Sequence, residues 1–555
     1  MPRKHRPPRT REPKACRACA HAKVRCEGTA QEGSACKRCL RLNKDCAMQL
    51  PGVHKQVGPR PSDVARLEEK LNDMAAVVTA SPRPLLNASA DGLGGSATSI
   101  IRQGIFADTS NEEAQRMLHN FQTEMVPYFP FVAVSSDATA SELRRSKPFL
   151  FCTMAMVSCL DDTQRQLDMA HGVRQYIGSA IVTLGEKGLD LLQGLLVCLG
   201  WYHFQLELGS QIRNVLHLSL AMLSDLGLNR RPSSVKTILP LESFPADYER
   251  QTMHRTLDER RAYLGCFYMS AIVSICYGDI DPMKYMDYTE ECCHAIEQAA
   301  EHPNDLYLVR MVRLHRLSDI IRRIHCSQND PPGFPSTPIP TLIKAVEAEL
   351  PHFKPCPPNT LHDSILLLQY HNLEISLYEI ALEDDFLTKV ASNSEHANVL
   401  LSCLATTRTF FDVFSSIPPR QYPNLPYPAY AAYSHALGTF SSKLLLFTGE
   451  GWGSEYARNI TNLSAEIDTV IAGIEKEAMA QHDGQPEYRF PDALTKTIPR
   501  LRAFREHHRT RWSALRNNSS EPSLGKVPTA ASEDAIHDMM FPLPHDLSWR
   551  FLRPS

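Results

Sequence analysis

The sequence predicts a mainly all-α protein in which a small cysteine-rich module precedes a large α-helical body, with irregular arm, linkers and tail. Three observations carry this. From about 110 to 515, apolar residues recur at helical spacing between prolines, with few of the alternating runs that would suggest strands. Six of the sixteen cysteines fall between Cys16 and Cys46, apart from the body. Pro, Gly and Ser punctuate the segments between these regions and resist regular structure. At roughly 150 residues per domain, a chain of 555 residues has room for about three or four domain-sized units. With 43% hydrophobic and 22% charged residues it can bury a sizeable core, which excludes collagen-like and wholly disordered classes.

Taken in order, residues 1–15 are basic and proline-rich and predict a disordered arm. The cysteine module spans 16–46, and 47–61 is a linker broken by Pro51, Gly52, Gly58, Pro59 and Pro61. A short helix is expected over 62–79, N-capped by Ser62, with Val64, Leu67, Leu71, Met74 and Val78 on one seam. That seam fits a dimerisation coil or a helix packed on the body. Residues 80–109 are a flexible linker, 110–515 the helical body, and 516–555 a tail in which acidic residues alternate with bulky apolar ones. Within the body the clearest helices are expected over 111–128, 148–160, 163–184, 189–206, 210–226, 257–274 and 363–387. The 210–226 segment shows the logic: Ile212, Val215, Leu216, Leu220, Leu223 and Leu226 form a buried stripe and Gly227 a stop. No apolar run reaches about 18 residues and the first residues lack an apolar stretch, so neither a membrane span nor a secretory signal is expected.

In a reducing compartment clustered thiols hold metal more readily than they form disulfides. The spacing is Cys16-x2-Cys19-x6-Cys26-x9-Cys36-x2-Cys39-x6-Cys46, one unit repeated twice. Two tetrahedral Zn2+ need eight coordination positions, and six thiolates fill them if two are shared. The repeat offers the first cysteine of each half, Cys16 and Cys36, for sharing. No closing His pair is present for a Cys2His2 finger, and Cys292-Cys293-His294 lacks the spacing of a zinc site.

Charge sharpens the point. The net charge of −3 divides into +11 over residues 1–60 and −14 over the rest. Lys23 and Arg25 lie in the first six-residue interval, and Lys37, Arg38, Arg41 and Lys44 lie around the second half. A metal-stiffened module with this density of cations points to a phosphate backbone, and hence to double-stranded DNA.

These residues, ACRACAHAKVRC over 15–26 and CKRCLRLNKDC over 36–46, resemble the fungal binuclear zinc cluster transcription factors. The resemblance implies two short helices around two Zn2+ per chain, with the end of the first helix in the DNA major groove. It implies that Lys23 reads a guanine of a CGG-like triplet, as suits a lysine facing O6 and N7 acceptors. Arg25, Lys37, Arg38, Arg41 and Lys44 would contact phosphate and fix register. The chain departs from the family pattern at Ala20 and Ala22, where basic residues are usual, and has no proline over 27–35. A weaker resemblance to the family's helical middle region runs through LLQGLLVCLGWYHF, LSLAMLSDLGLNRRP and DERRAYLGCFYMSAIVS.

No G-x-S-x-G, Walker or H-E-x-x-H motif is present, so no enzyme is expected. The expected function is a nuclear, sequence-specific transcription factor, an activator of RNA polymerase II genes through CGG-like half-sites in a secondary-metabolite or nutrient-use pathway. Its expected partners are DNA, a second copy of itself, the transcription machinery or coactivators, and a small-molecule effector, with no membrane. The alternatives are a repressor, or a metabolite-binding or enzymatic protein tethered to DNA. The arm would carry a nuclear-import address, and the tail would recruit coactivators or dock on its own body.

Overall fold

The computed structural model describes residues 16–22, 24, 26, 35–47, 109–232, 255–278, 280–326, 338–355, 360–382, 393–444, 462–480 and 490–518. The expected arm, the 62–79 helix, most of the 80–109 linker and the tail beyond 518 lie outside the described residues. So do Lys23 and Arg25. The chain divides into two compact units, Met1–Leu93 and Gly94–Ser555. Each has its own core, and no β-strand occurs among the described residues. The mainly α-helical fold is therefore as the sequence predicts.

The first unit contains α1 (Arg17–His21) and α2 (Lys37–Arg41). The second is built from longer helices, among them α3 (Asn111–Asn120), α4 (Pro148–Ser158), α5 (Thr163–Ile177), α6 (Leu189–Gly200), α7 (Ile212–Asp225), α8 (Leu257–Tyr277), α9 (Asp287–Ala299), α10 (Asp305–Leu314), α11 (Leu361–Tyr378), α12 (Asn393–Ser416), α13 (Tyr427–Gly438), α14 (Leu463–Ala480) and α15 (Thr497–Asn518). Local signals place many of their starts. Ser110, Asp162 and Thr360 each accept a hydrogen bond from a backbone N–H three residues on, at 3.0–3.2 Å. At α7 the expected stripe is largely buried, joined by Ser219 and Met222, and the helix stops where Gly227 turns to φ +63°. There the Leu228 N–H returns to the Leu223 carbonyl at 3.0 Å, satisfying the helix end.

The central element is α8. Thr256 and Glu259 form a reciprocal capping box at its start, and Gly278 ends it at φ +70°. Nearly every residue from Arg261 to Tyr277 is buried, because α6, α7, α9 and α13 pack around it. The fully buried Arg261 donates to both Asp305 oxygens at 3.0 Å, to Glu301 at 3.0 Å and to Asp258 at 3.3 Å, so its charge is paired on several sides.

Four expected helices are shorter than their periodicity, and 363–387 is one of them, since its α-helix ends at Tyr378 and continues as a 3-10 turn over Glu379–Leu382. The 111–128 helix becomes a π-turn over Phe121–Met125 and a 3-10 turn over Val126–Tyr128, and 163–184 becomes a π-turn from Gly178. The 189–206 helix breaks at Trp201 and continues as 3-10 over Tyr202–Leu208. For the 189–206 segment the physical reason lies in another helix. Arg174 of α5 donates to the carbonyls of Leu208 at 2.7 Å, Gln205 at 3.0 Å and Gly209 at 3.2 Å, holding that turn in a non-α path.

Candidate metal centre

The two halves of the cysteine repeat fold alike. Cys16 and Cys36 each precede a short helix, and Cys19 and Cys39 sit three residues on, one turn away on the same face. The chain then turns through matched bonds: Val24 N–H to the Cys19 carbonyl at 3.2 Å, and Lys44 N–H to the Cys39 carbonyl at 3.0 Å. Cys26 and Cys46 are brought back to the start of their own halves. The Cys16 N–H reaches the Cys26 Sγ at 3.4 Å and the Cys36 N–H reaches the Cys46 Sγ at 3.3 Å. The halves are also tied to each other, since the Arg17 N–H donates to the Ala47 carbonyl at 2.9 Å.

The six sulfurs converge into two groups of four, Cys16, Cys19, Cys26, Cys36 and Cys16, Cys36, Cys39, Cys46, each with all sulfurs within 4.8 Å. Cys16 and Cys36 belong to both. Their sulfurs are 3.9 Å apart, and those of Cys16 and Cys39, and of Cys19 and Cys36, are 3.7 Å apart. Tetrahedral coordination with metal–sulfur bonds of about 2.3 Å places neighbouring sulfurs about 3.8 Å apart, so this donor set could hold metal. Soft thiolate donors in a tetrahedral array suit zinc-like ions.

The two shared thiols are also the ones whose ionised form is favoured on balance. The Cys39 N–H holds the Cys36 thiol down at about 6, and the Cys19 N–H lowers Cys16. Burial instead pushes Cys19 up to about 11 and raises Cys39 further. Four closely packed thiols resist ionising together without a cation among them.

Of the described cations in the second half, Lys37, Arg41 and Lys44 are exposed. Arg38 is half-buried, and its Nη1 lies 4.0 Å from the Cys19 sulfur. That contact was not legible in the sequence, because helical spacing does not say which sulfur a guanidinium can cross to reach. In the body, Thr163, Gln166, His203, Phe204, Thr497 and Arg500 line a crevice of about 30 Å³, room for about two waters. Neither ring nitrogen of the buried His203 meets a partner among the described residues, and burial pushes its pKa down to about 3. Cys292 and Cys293 are buried in α9 with burial-raised pKa values and sit in no metal-compatible group among the described residues.

Residues 67–405 match the family model described as the WAR1 C-terminal domain. The chain belongs to the fungal binuclear zinc cluster transcription factors. Among its relatives, "Transcription factor opdL" of Penicillium oxalicum is 27% identical over 485 residues, covering 83% of each chain. "Transcription factor himD" of Aspergillus japonicus is 30% identical over 429 residues, 74% of this chain and 69% of the relative. "Weak acid resistance protein 1" of Saccharomyces cerevisiae is 23% identical over 240 residues, 39% of this chain and 25% of the relative. No solved structure matches. Membership in the zinc cluster family makes the chain a transcription factor, and the family model covers its helical body as far as residue 405. Among the described residues no helix is long and apolar enough to cross a membrane.

Proposed function

We propose that the chain is a nuclear, sequence-specific transcription factor whose six cysteines hold two Zn2+, shared through Cys16 and Cys36, and whose first 60 residues bind double-stranded DNA. The observation that carries this reading is the convergence of six sulfurs into two four-membered groups with two members in common. Bound zinc neutralises thiolates and crosslinks the halves, so it serves as structure and not as a reaction centre. Six thiolates around two Zn2+ keep the cluster itself at −2, while the net +11 of residues 1–60 supplies the attraction for phosphate.

Lys23 reads a guanine of a CGG-like triplet, and Arg25, Lys37, Arg38, Arg41 and Lys44 contact phosphate and set register. Two copies bound side by side account for paired half-sites, with their spacing set by the linkers. The helical body gates activity in response to a small-molecule effector or a protein partner, and 516–555 recruits the transcription machinery, making the factor an activator of a secondary-metabolite or nutrient-use pathway. Genome-wide mapping of bound DNA with and without Lys23→Ala tests the reading. A CGG-like motif lost in the variant is expected, and unchanged motif and occupancy would refute the role of Lys23. A reporter driven by residues 94–555 fused to an unrelated DNA-binding module tests the sign, and absence of activation would refute the activator.

A further inference from the structure

Among the described residues, the two halves of the candidate metal centre are alike in backbone but not in the charge around their sulfurs. Twenty residues separate matched positions of the repeat, so Arg38 corresponds to Ala18. Arg38 leaves the solvent-facing set formed by Lys37, Arg41 and Lys44 and reaches across from α2 to the Cys19 sulfur of the other half, 4.0 Å from its Nη1. The methyl of Ala18 can offer nothing equivalent to Cys39. Among the described residues, no cationic side chain makes a hydrogen bond to the Cys39 or Cys46 sulfur.

Chemistry makes the choice of sulfur matter. On the two-zinc reading, Cys16 and Cys36 each share their charge between two cations, whereas Cys19 and Cys39 each bind one. An unshared thiolate keeps more negative charge, so it is the first to be taken by an electrophile and let its metal go. A guanidinium, charged at every physiological pH and carrying several N–H donors, lowers that reactivity where it touches.

We propose that Arg38 is a positioning residue that clamps the Cys19 thiolate across the two halves and makes the metal positions inequivalent, so that metal leaves the group of Cys16, Cys36, Cys39 and Cys46 first. This rests on the two-zinc reading above. It gives Arg38 a task distinct from phosphate contact.

The test uses the full chain loaded with zinc and exposed to dilute iodoacetamide with a chelator, with mass spectrometry reporting which cysteines are modified over time and metal analysis reporting zinc retained. In the natural chain Cys39 and Cys46 should be modified as the first zinc leaves, ahead of Cys19 and Cys26. Outer-shell contacts of this kind change metal affinity by about 10–100-fold, so Arg38→Gln should speed modification of Cys19 and Cys26 about tenfold and bring the two groups together. Arg38→Lys, which keeps the charge without the fork, should fall between. Equal rates for the two groups in the natural chain would overturn the proposal. So would an Arg38→Gln chain that lowers the salt dependence of DNA binding while its cysteines react as before, because Arg38 would then be a phosphate contact only. Fewer than two zincs per chain at the outset would overturn the two-metal reading itself, and the inference with it.

Discussion

At the scale of single residues, the metal centre separates sulfurs by what each loss should cost. Cys46 belongs to one group of four and Cys36 to both. Zinc analysis should therefore find about one zinc retained in Cys46→Ser and essentially none in Cys36→Ser, since a tetrahedral site missing one of four donors binds far more weakly. Equal losses would contradict the sharing. The exposed Lys37 and Arg41 make a different prediction. If each meets a phosphate, Lys37→Gln or Arg41→Gln should weaken binding to all DNA sequences alike. Each should also reduce the slope of log affinity against log salt by about 0.9, read by titrations at several salt concentrations. That Cys16 and Cys36 hold matching places in the two halves was legible from the repeat, and the structure puts both in both groups of four. The Arg38 contact was not legible, because the direction of a long side chain is decided by what the opposite half presents.

At the scale of elements, capping and periodicity located helices, while their ends and neighbours depended on distant residues. The start of α4 is held by a residue of α6. Asp190 accepts from the Phe149 N–H at 3.1 Å and the Leu150 N–H at 2.8 Å, a cap supplied from some 40 positions away. Asp190→Ala removes both bonds from helix-end donors and should destabilise the body by about 2 kcal/mol in denaturant titration. Close approach of α8 to α6 depends on Gly265. A Cβ there would lie 2.8 Å from the Phe131 Cβ and 3.1 Å from a Leu196 methyl. Gly265→Ala should cost about 1–3 kcal/mol despite its better helix propensity, because the contact on Phe131 is at the root of the side chain and cannot swing away. A stabilised variant would show that the helices can part freely. The break after Gly200 belongs here too: apolar spacing continues through it, and the Arg174 clamp on the following turn and the burial of Trp201 redirect the chain.

At the scale of the whole molecule, two separate cores predict two separate responses. Chelation should strip the first unit of its crosslinks, since its core among the described residues is little more than the cysteines themselves, while the far-ultraviolet circular dichroism of the large helical unit stays close to native. The body should instead respond to acid. Burial holds His203 down at about 3 and His315 down at about 4, below the ordinary 6.5. Between pH 6.5 and about 4 the unfolded chain therefore binds protons that the folded chain refuses, so stability is full above 6.5 and falls as the pH drops through that window. Melting temperatures across pH 7 to 4 should show this decline, and His203→Phe should flatten it; an unchanged slope would remove His203 as a contributor. The sequence by itself determined the all-helical body, the paired cysteine units and the basic charge gathered on them, because periodicity, spacing and charge are properties of order along the chain. Only the tertiary structure decided which sulfurs face one another, which arginine turns inward to meet them, and where apparently continuous helices break. Those outcomes are set by contacts between residues tens of positions apart, where packing and the pairing of buried charge outweigh local preference.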